Sequence, residues 1–302
     1  MSAPRPWGAV GVWLSRLGLV GAAEARNAVL RIEDLGYGSL WIGETSVSKE
    51  VMTHAGLLLA ASERIVVGTG IASIWARDAV AAHAAAVTLG EAYPGRFVLG
   101  LGVSHRDLVG DRGHRYDRPL AAMRKYLDAL QVSRCDAPVG DVPVPVVLAA
   151  LGPRMLALAG ERTAGAHTYF MPVEHTWRAR ERLGPGPLLV PEQAVVVTDQ
   201  PEEARAWARK HMAFYLGQPN YVQALRTLGV TDDDLADGGS DRLVDLLVAW
   251  GPPEVVAGRV QELLDAGADH VVLQPLGPTT DAAVDQLHVL APALTEHLRR
   301  SA

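Results

Sequence analysis

Short apolar runs typical of buried strands alternate along the chain with longer segments of helical periodicity. The first helical segment spans residues 21–36, where the apolar positions Ala25, Val29, Ile32 and Leu35 precede a glycine stop. Eight apolar runs predict strands, and each is preceded or followed by a helical segment. The predicted strands cover residues 8–14, 39–43, 65–71, 96–102, 145–150, 166–170, 188–197 and 270–274.

Repeated strand–helix units predict parallel strands joined by right-handed crossovers. Eight such units over 302 residues form the pattern of an α/β protein with a (β/α)8 TIM barrel. A doubly wound open sheet is the alternative architecture. We favour the barrel because no break in composition and no linker divides the chain, and we therefore expect a single domain over residues 1–302.

One stretch, residues 217–250, interrupts the alternation. It carries turn signals at residues 218–220 and 237–240 between segments of helical periodicity. We interpret it as a helical insertion near the seventh and eighth units of the barrel.

Composition narrows the range of partners. The chain has 28 lysines and arginines against 34 acidic residues, for a net charge of −6, and its basic residues form no patch or stripe. We therefore expect the chain to bind neither nucleic acid nor an anionic membrane.

The single Cys135 excludes an internal disulfide and a multi-cysteine metal site. Residues 8–14 are too short for the core of a signal peptide, so a cytoplasmic location is expected.

Two glycine motifs follow predicted strands, at residues 68–70 and 100–102. Neither continues as the dinucleotide fingerprint G-x-G-x-x-G, because Ser73 and His105 occupy the third glycine positions. Glycines that relieve crowding where strands leave a barrel explain either motif taken alone.

The turn at residues 148–154 leaves two interpretations open. Gly152 permits a tight turn, and Pro153 suits the first position of a helix. The free amides of that helix start, with Arg154 beside them, favour a phosphate. An ordinary strand-to-helix turn explains the same residues equally well.

Two ionisable residues lie where a barrel places its chemistry, after the strands. Glu44 follows the second predicted strand and His105 follows the fourth. Glu44 is a candidate for positioning a ligand or exchanging protons; alternatively it is a solvated acid in a loop. His105 is a candidate cofactor contact; alternatively it is a polar residue at the surface. Trp13, Trp75 and Tyr169 form a possible aromatic pocket, or part of the core. No metal or serine-hydrolase motif is present.

Several stretches together resemble the luciferase-like monooxygenase superfamily, in particular its coenzyme F420-dependent oxidoreductases. Each stretch is weak alone, but their order and spacing along residues 8–275 are specific. They are residues 36–44 (GYGSLWIGE), 64–71 (RIVVGTGI), 94–102 (PGRFVLGLG), 251–254 (GPPE) and 266–273 (AGADHVVL).

The resemblance implies a (β/α)8 barrel with an inserted helical segment, and a flavin or deazaflavin at the carboxyl mouth of that barrel. It implies that hydride is transferred between coenzyme F420 and a small organic substrate. The alternatives are an FMN-dependent monooxygenase and a non-catalytic relative that binds a cofactor. A homodimer is also expected from the resemblance.

The resemblance also implies which residues contact the cofactor. A cis peptide between Gly70 and Ile71 is expected against the ring. The full set of expected contacts is Thr69, Gly70, Ile71, Gly102, Ser104, Ala150, Leu151, Gly152, Pro153 and Arg154.

One position departs from the pattern of the resembled family. Its sugar-phosphate and alcohol dehydrogenases carry an acidic residue and then a histidine after the second strand, and the histidine serves as acid and base. Here the pair is Glu44 and Thr45. Threonine takes up no proton near neutral pH, so those substrates are not expected. Glu44 and His105 are the remaining candidates for the acid/base group, unless water supplies the proton.

Overall fold

Eight parallel strands close into a ring. The computed structural model describes residues 7–300, so the first six and the last two residues of the predicted single domain lie outside the description. The ring runs β1-β2-β3-β5-β6-β7-β8-β10 and closes where β10 pairs with β1. The described strands are β1 Val10–Trp13, β2 Ser39–Ile42, β3 Val66–Thr69, β4 Ala72–Ser73, β5 Phe97–Gly102, β6 Val146–Ala149, β7 Gly165–Thr168, β8 Leu188–Val197, β9 Val248–Gly251 and β10 Val271–Pro275.

Helices surround this ring, and those of the inserted segment pack against its carboxyl end. The helices are α1 Ala22–Asp34, α2 Val51–Ala61, α3 Ala79–Ala92, α4 Arg106–Gly110, α5 Pro119–Val132, α6 Pro153–Arg162, α7 Val173–Leu183, α8 Pro201–Leu216, α9 Pro219–Thr227, α10 Asp232–Leu235, α11 Asp241–Leu247, α12 Pro253–Asp265 and α13 Thr280–Arg300, with 3-10 helices at Ser15–Leu19 and Ala236–Gly238.

The eight predicted strands are the eight strands of the ring, so the predicted (β/α)8 barrel is confirmed. The third differs in detail. The prediction was one strand over residues 65–71, but β3 ends at Thr69, and β4 then pairs with β5 alone. The chain changes direction at Gly70, and this step brings it to the mouth of the barrel.

The range predicted as a helical insertion contains α9, α10 and α11, but its last residues form β9. This strand pairs with the carboxyl half of β8, from Ala194 with Val248 to Val197 with Gly251. Val248-Ala249-Trp250 is too short an apolar run for periodicity to separate a strand from a helix end. Pairing with β8 decides its conformation.

Buried side chains form two layers, as strand alternation requires. The outer layer lies between strands and helices and includes Leu40, Leu99 and Leu273. The inner layer fills the barrel, includes Trp41 and Val272, and continues into the helices of the insertion. The inserted segment is therefore packed against the carboxyl end of the barrel interior.

Side-chain caps start the two helices that flank the mouth. The Glu50 carboxylate accepts hydrogen bonds from the amides of Met52 and Thr53 at the start of α2. Asp78 accepts one from the amide of Ala81 at the start of α3. Each cap satisfies amides that have no partner within the helix, which fixes where the preceding loop ends.

Candidate active site

A cavity of about 630 Å³ opens at the carboxyl ends of the strands. Its wall combines the loops after six strands with side chains from α8 and α9. The lining residues are Trp13, Ser15, Leu19, Gly43, Glu44, Thr45, Ser46, Val47, Gly70, Ile71, Ser73, Val103, Ser104, His105, Leu108, Tyr116, Pro119, Ala149, Ala150, Leu151, Gly152, Met155, His167, Tyr169, Phe214, Tyr215, Asn220 and Tyr221.

The peptide step after β3 has the cis conformation that the family resemblance implies. The peptide bond between Gly70 and Ile71 is cis, and both residues line the cavity. The Gly70 amide donates to the Ile42 carbonyl at 2.7 Å, and the Gly70 carbonyl accepts from Nε1 of Trp13 at 3.0 Å. A Cβ on Gly70 would lie 2.5 Å from that indole nitrogen. Only glycine therefore fits between β2 and the Trp13 ring.

Two of the residues predicted to contact a cofactor lie behind the wall. The Thr69 hydroxyl donates to the Gly100 carbonyl at 2.7 Å and accepts from the Gly100 amide at 2.8 Å, joining β3 to β5. A Cβ on Gly102 would lie 1.8 Å from Cδ1 of Ile71. Neither residue lines the cavity. Thr69 fixes the strand before the cis bond, and Gly102 leaves room for the Ile71 side chain.

The loop after β5 brings Ser104 and His105 to the cavity. Ser104 has a φ of 59°, and His105 stands at the start of α4. The His105 ring contacts Phe214 and Tyr221, with ring centroids 5.7 Å and 5.6 Å apart. Burial lowers the pKa of His105, although a hydrogen bond with Asn220 and the charge of Asp107 oppose the change. The imidazole is therefore neutral at pH 7 and can accept a proton or a hydrogen bond.

Glu44 lines the cavity, but its carboxylate is fully engaged. Arg77 donates to both oxygens, one bond being 3.0 Å long, and the Ser73 amide donates at 2.8 Å. The Glu44 side chain is 2% exposed and that of Arg77 10%. Arg77 also donates to Glu50 at 2.8 Å. A carboxylate held by three donors is well placed to position the loops and poorly placed to exchange protons.

The turn after β6 brings only some of its predicted cofactor contacts to the cavity. Ala150, Leu151 and Gly152 line the cavity, whereas Pro153 begins α6 and Arg154 is exposed. The N-cap residue of α6 is Gly152, which has no side chain to cap the amides at this helix start. Anion binding here stays a prediction.

Sequence reasoning missed His167, which lies on β7 in the cavity wall. Its Nδ1 lies 2.8 Å from the Val190 carbonyl, so Nδ1 carries the hydrogen and Nε2 is left as an acceptor. Nε2 is buried and has no hydrogen-bond partner among the described residues. Burial lowers the pKa of His167 to about 4. A histidine inside an apolar strand carries no periodic signal that could have marked it.

The aromatic side chains of α8 and α9 were missed as well. Tyr215 of α8 contacts several other rings, among them Tyr169 at a centroid distance of 5.1 Å, Tyr221 at 5.2 Å and Phe214 at 5.2 Å. Tyr169 in turn contacts Trp13 at 5.0 Å. Of the three aromatic residues named from the sequence, Trp13 and Tyr169 line the cavity.

Trp75 was the third of those aromatic residues. It lies outside the lining set, and its Nε1 donates to the Val103 carbonyl at 2.9 Å. It therefore holds the loop after β5 in place from behind.

A buried carboxyl group lies on β8, two residues beyond Val190 on the same face of the strand. One oxygen of Glu192 accepts from the Phe170 amide at 3.0 Å, and the other has no partner in the described part of the chain. Burial raises the pKa of Glu192 to about 8, against the opposing effect of the Phe170 amide. The group is therefore protonated at neutral pH.

Between residues 7 and 300, no cluster of three or more histidine, cysteine, aspartate or glutamate side chains could hold a metal ion. Over the same residues, no helix is both long and apolar enough to cross a membrane.

Known proteins resemble the chain in sequence and in fold. The sequence model of the luciferase-like monooxygenase family matches residues 9–270. A 5,10-methylenetetrahydromethanopterin reductase of Methanolobus tindarius is 25% identical over 298 residues, covering 83% of this chain and 90% of the relative.

A second relative is a Mycobacterium tuberculosis protein provisionally named a coenzyme F420-dependent oxidoreductase. It is 33% identical over 170 residues, which are 54% of this chain and 46% of the relative. Among solved structures, the coenzyme F420-dependent tetrahydromethanopterin reductase of Methanopyrus kandleri superposes with a TM-score of 0.78 at 19% identity. That superposition covers 96% of this chain and 99% of the other, and it shows a common fold.

Proposed function

Because the chain belongs to the luciferase-like monooxygenase family, we propose that it is a coenzyme F420-dependent oxidoreductase that transfers hydride between the deazaflavin and a small organic substrate. The observation that carries the proposal is the cavity of about 630 Å³ at the carboxyl mouth of the barrel. Catalytic sites of TIM barrels lie at this end of the strands. The similarity to the mycobacterial relative supports F420 as the cofactor.

The cavity fits a planar heterocycle in size and in chemistry. Its volume lies within the range of roughly 300–1,000 Å³ that is usual for small-molecule sites. The buried Nε2 of His167 has no partner among the described residues and can accept a hydrogen bond from an N–H or O–H of a ring system. Satisfying that atom would stabilise the complex, because a buried polar atom without a partner is costly.

The residues that would hold the cofactor come from three loops. Gly70 and Ile71 would lie against the ring, and Ser104 would lie beside it. The turn from Ala150 to Gly152 leads to the uncapped start of α6, which favours a phosphate. When bound, coenzyme F420 carries the hydride at C5 of its deazaflavin ring.

The protein's own groups control protons and water at the site. His105 is neutral at pH 7 and lies in the cavity wall, so it can accept a proton from a substrate or hold a water that exchanges one. Glu44 orients the loop of Ser73 through its contacts with Arg77 and the Ser73 amide. The rings of α8 and α9 separate the cavity from solvent on one side, which strengthens electrostatic interactions inside it.

Cofactor titration tests the proposal. The purified protein is titrated separately with F420 and with FMN, and quenching of tryptophan fluorescence is followed, because Trp13 lines the cavity. We expect saturable binding of F420 and, with the reduced cofactor, no oxygen uptake. Tight FMN binding with oxygen uptake and no F420 binding would favour the monooxygenase alternative instead.

Two further proposals need their own measurements. A bound cofactor that no donor or acceptor ever reduces or oxidises would indicate a non-catalytic relative. The homodimer stays a prediction, to be checked by light scattering on the purified chain.

A further inference from the structure

The cavity presents almost no net charge to a substrate. Its acidic residue, Glu44, is paired with Arg77. Burial lowers the pKa values of His105 and His167, so both rings are neutral at pH 7. No lysine or arginine is among the described residues that line the cavity. An anionic substrate would therefore enter without a counter-charge.

The tyrosines of the wall are neutral as well. Burial raises the pKa values of Tyr116, Tyr169, Tyr215 and Tyr221 above that of an exposed phenol. The Tyr169 hydroxyl lies 2.8 Å from that of Tyr215 and donates to Gln274 at 2.8 Å. The hydroxyl groups of Tyr169 and Tyr215 are thus engaged with each other, so these two residues present mainly their rings to the cavity.

Rings in mutual contact form a continuous aromatic surface. It runs from Trp13 through Tyr169 and Tyr215 to Phe214 and Tyr221. Aromatic pairs favour offset or edge-to-face contacts with planar partners, beyond the gain from burying area alone. This surface therefore suits a planar, unsaturated molecule.

Apolar side chains also surround the entrance. Leu19, Val47 and Phe214 line the cavity, yet 64%, 82% and 47% of their surfaces are exposed. They come from the 3-10 helix after β1, the loop after β2 and helix α8. Exposed apolar groups clustered at a cavity are characteristic of ligand-binding surfaces.

We propose that the substrate is an uncharged, mainly apolar molecule with a planar unsaturated part. It binds against the aromatic surface from Trp13 to Tyr221, which does not include the start of α6, and carboxylates and phosphates are excluded from that part of the cavity. The reaction performed on that molecule rests on the proposed function, whereas its binding does not. Removing an anion from water without a partner is costly, and the cavity offers no cation to compensate.

A matched pair of ligands tests the inference by isothermal titration calorimetry. Benzylideneacetone is a neutral planar enone, and cinnamate has a similar skeleton ending in a carboxylate. We expect cinnamate to bind about 10-fold more weakly or worse than the ketone. Cinnamate binding as tightly as the ketone would overturn the inference, and so would no ketone binding at its highest soluble concentration.

A variant that adds a positive charge to the cavity wall provides a second test. Leu108 lines the cavity from α4 and is half-buried, so Leu108→Lys places an ammonium at the wall with its stem along apolar surface. We expect it to reverse much of the preference for the ketone. Leu57→Lys is the control, because Leu57 is exposed on α2 and lies outside the lining set.

If Leu108→Lys folds and the preference is unchanged, the absence of a cation is not what excludes anions, and the inference fails. Titrations with F420 and FMN on the same samples keep the two proposals separate. If the native chain shows no preference for the ketone but binds the cofactor, this inference alone is contradicted. If the native chain prefers the ketone but does not bind F420, the proposed cofactor alone is contradicted.

Discussion

Arg77 donates hydrogen bonds to both carboxylate oxygens of Glu44 and so joins the loop after β2 to the loop after β3. The same carboxylate accepts from the Ser73 amide, two residues beyond the cis bond between Gly70 and Ile71. Burial, which lowers the pKa of Arg77, is outweighed by its bonds and charge interactions with Glu44 and Glu50. Arg77 therefore stays charged, and the role of its pairing with Glu44 is to position the cavity wall.

Arg77→Met leaves the buried Glu44 carboxylate without its cation. We expect a loss of about 3–5 kcal/mol in the free energy of unfolding, measured by chemical denaturation, because an unpaired buried charge is strongly destabilising. The double variant Glu44→Gln/Arg77→Met should recover part of that loss. A loss below about 1 kcal/mol would place the pair among weak surface ion pairs.

Gly70→Ala introduces a Cβ that meets Nε1 of Trp13 at 2.5 Å. The indole cannot move without losing its bond to the Gly70 carbonyl, so we expect a loss of about 1–3 kcal/mol in stability and weaker cofactor binding. Thermal unfolding and fluorescence titration measure the two effects. Gly186→Ala is the control, because a Cβ there meets no atom within 4 Å. Equal behaviour of the two variants would contradict the steric argument.

His167→Phe keeps an aromatic ring beside Trp41 but removes the free Nε2 acceptor. We expect cofactor binding to weaken by about 0.5–1.5 kcal/mol, the net value of one hydrogen bond. Because the pKa of His167 is about 4, the loss should be constant from about pH 6 to about pH 8. His83→Phe, on α3 outside the lining set, should leave the dissociation constant unchanged.

Glu192→Gln tests the buried carboxyl group through the pH dependence of stability. Its pKa of about 8 in the folded chain lies above the ordinary value of about 4.3, so between these values the folded state holds a proton that the unfolded state has released. The free energy of unfolding therefore falls as pH rises through this window. The amide releases no proton, so the variant should gain stability relative to the native chain from about pH 5 to about pH 9.

Unfolding curves at a series of pH values measure this difference. The exposed Glu161, changed to glutamine, is the control and should follow the native chain. If the Glu192→Gln curve also runs parallel to that of the native chain, Glu192 does not titrate within the window.

The pattern of apolar runs and turn residues along the chain was sufficient to predict the barrel. Each ring strand is an apolar run flanked by turn residues, and these properties depend only on neighbours along the chain. The same reasoning failed at Val248–Gly251, where three apolar residues after a helix do not determine a conformation and pairing with β8 does. At Gly70, the cis bond was expected from the family resemblance and is present, whereas periodicity alone predicted a continuous strand.

The sequence by itself therefore determined which segments form the ring strands and the loops at the mouth, and it favoured a barrel over an open sheet, because periodicity and glycine positions depend only on neighbours along the chain. The tertiary structure decided the chemistry of the cavity. It pairs Glu44 with Arg77, 33 positions later, and it brings Tyr215 of α8 against Tyr169, which follows β7. It also leaves Nε2 of His167 buried beside the cavity without a partner among the described residues. Such contacts join residues far apart in the chain, and only the closed barrel brings them within hydrogen-bonding distance.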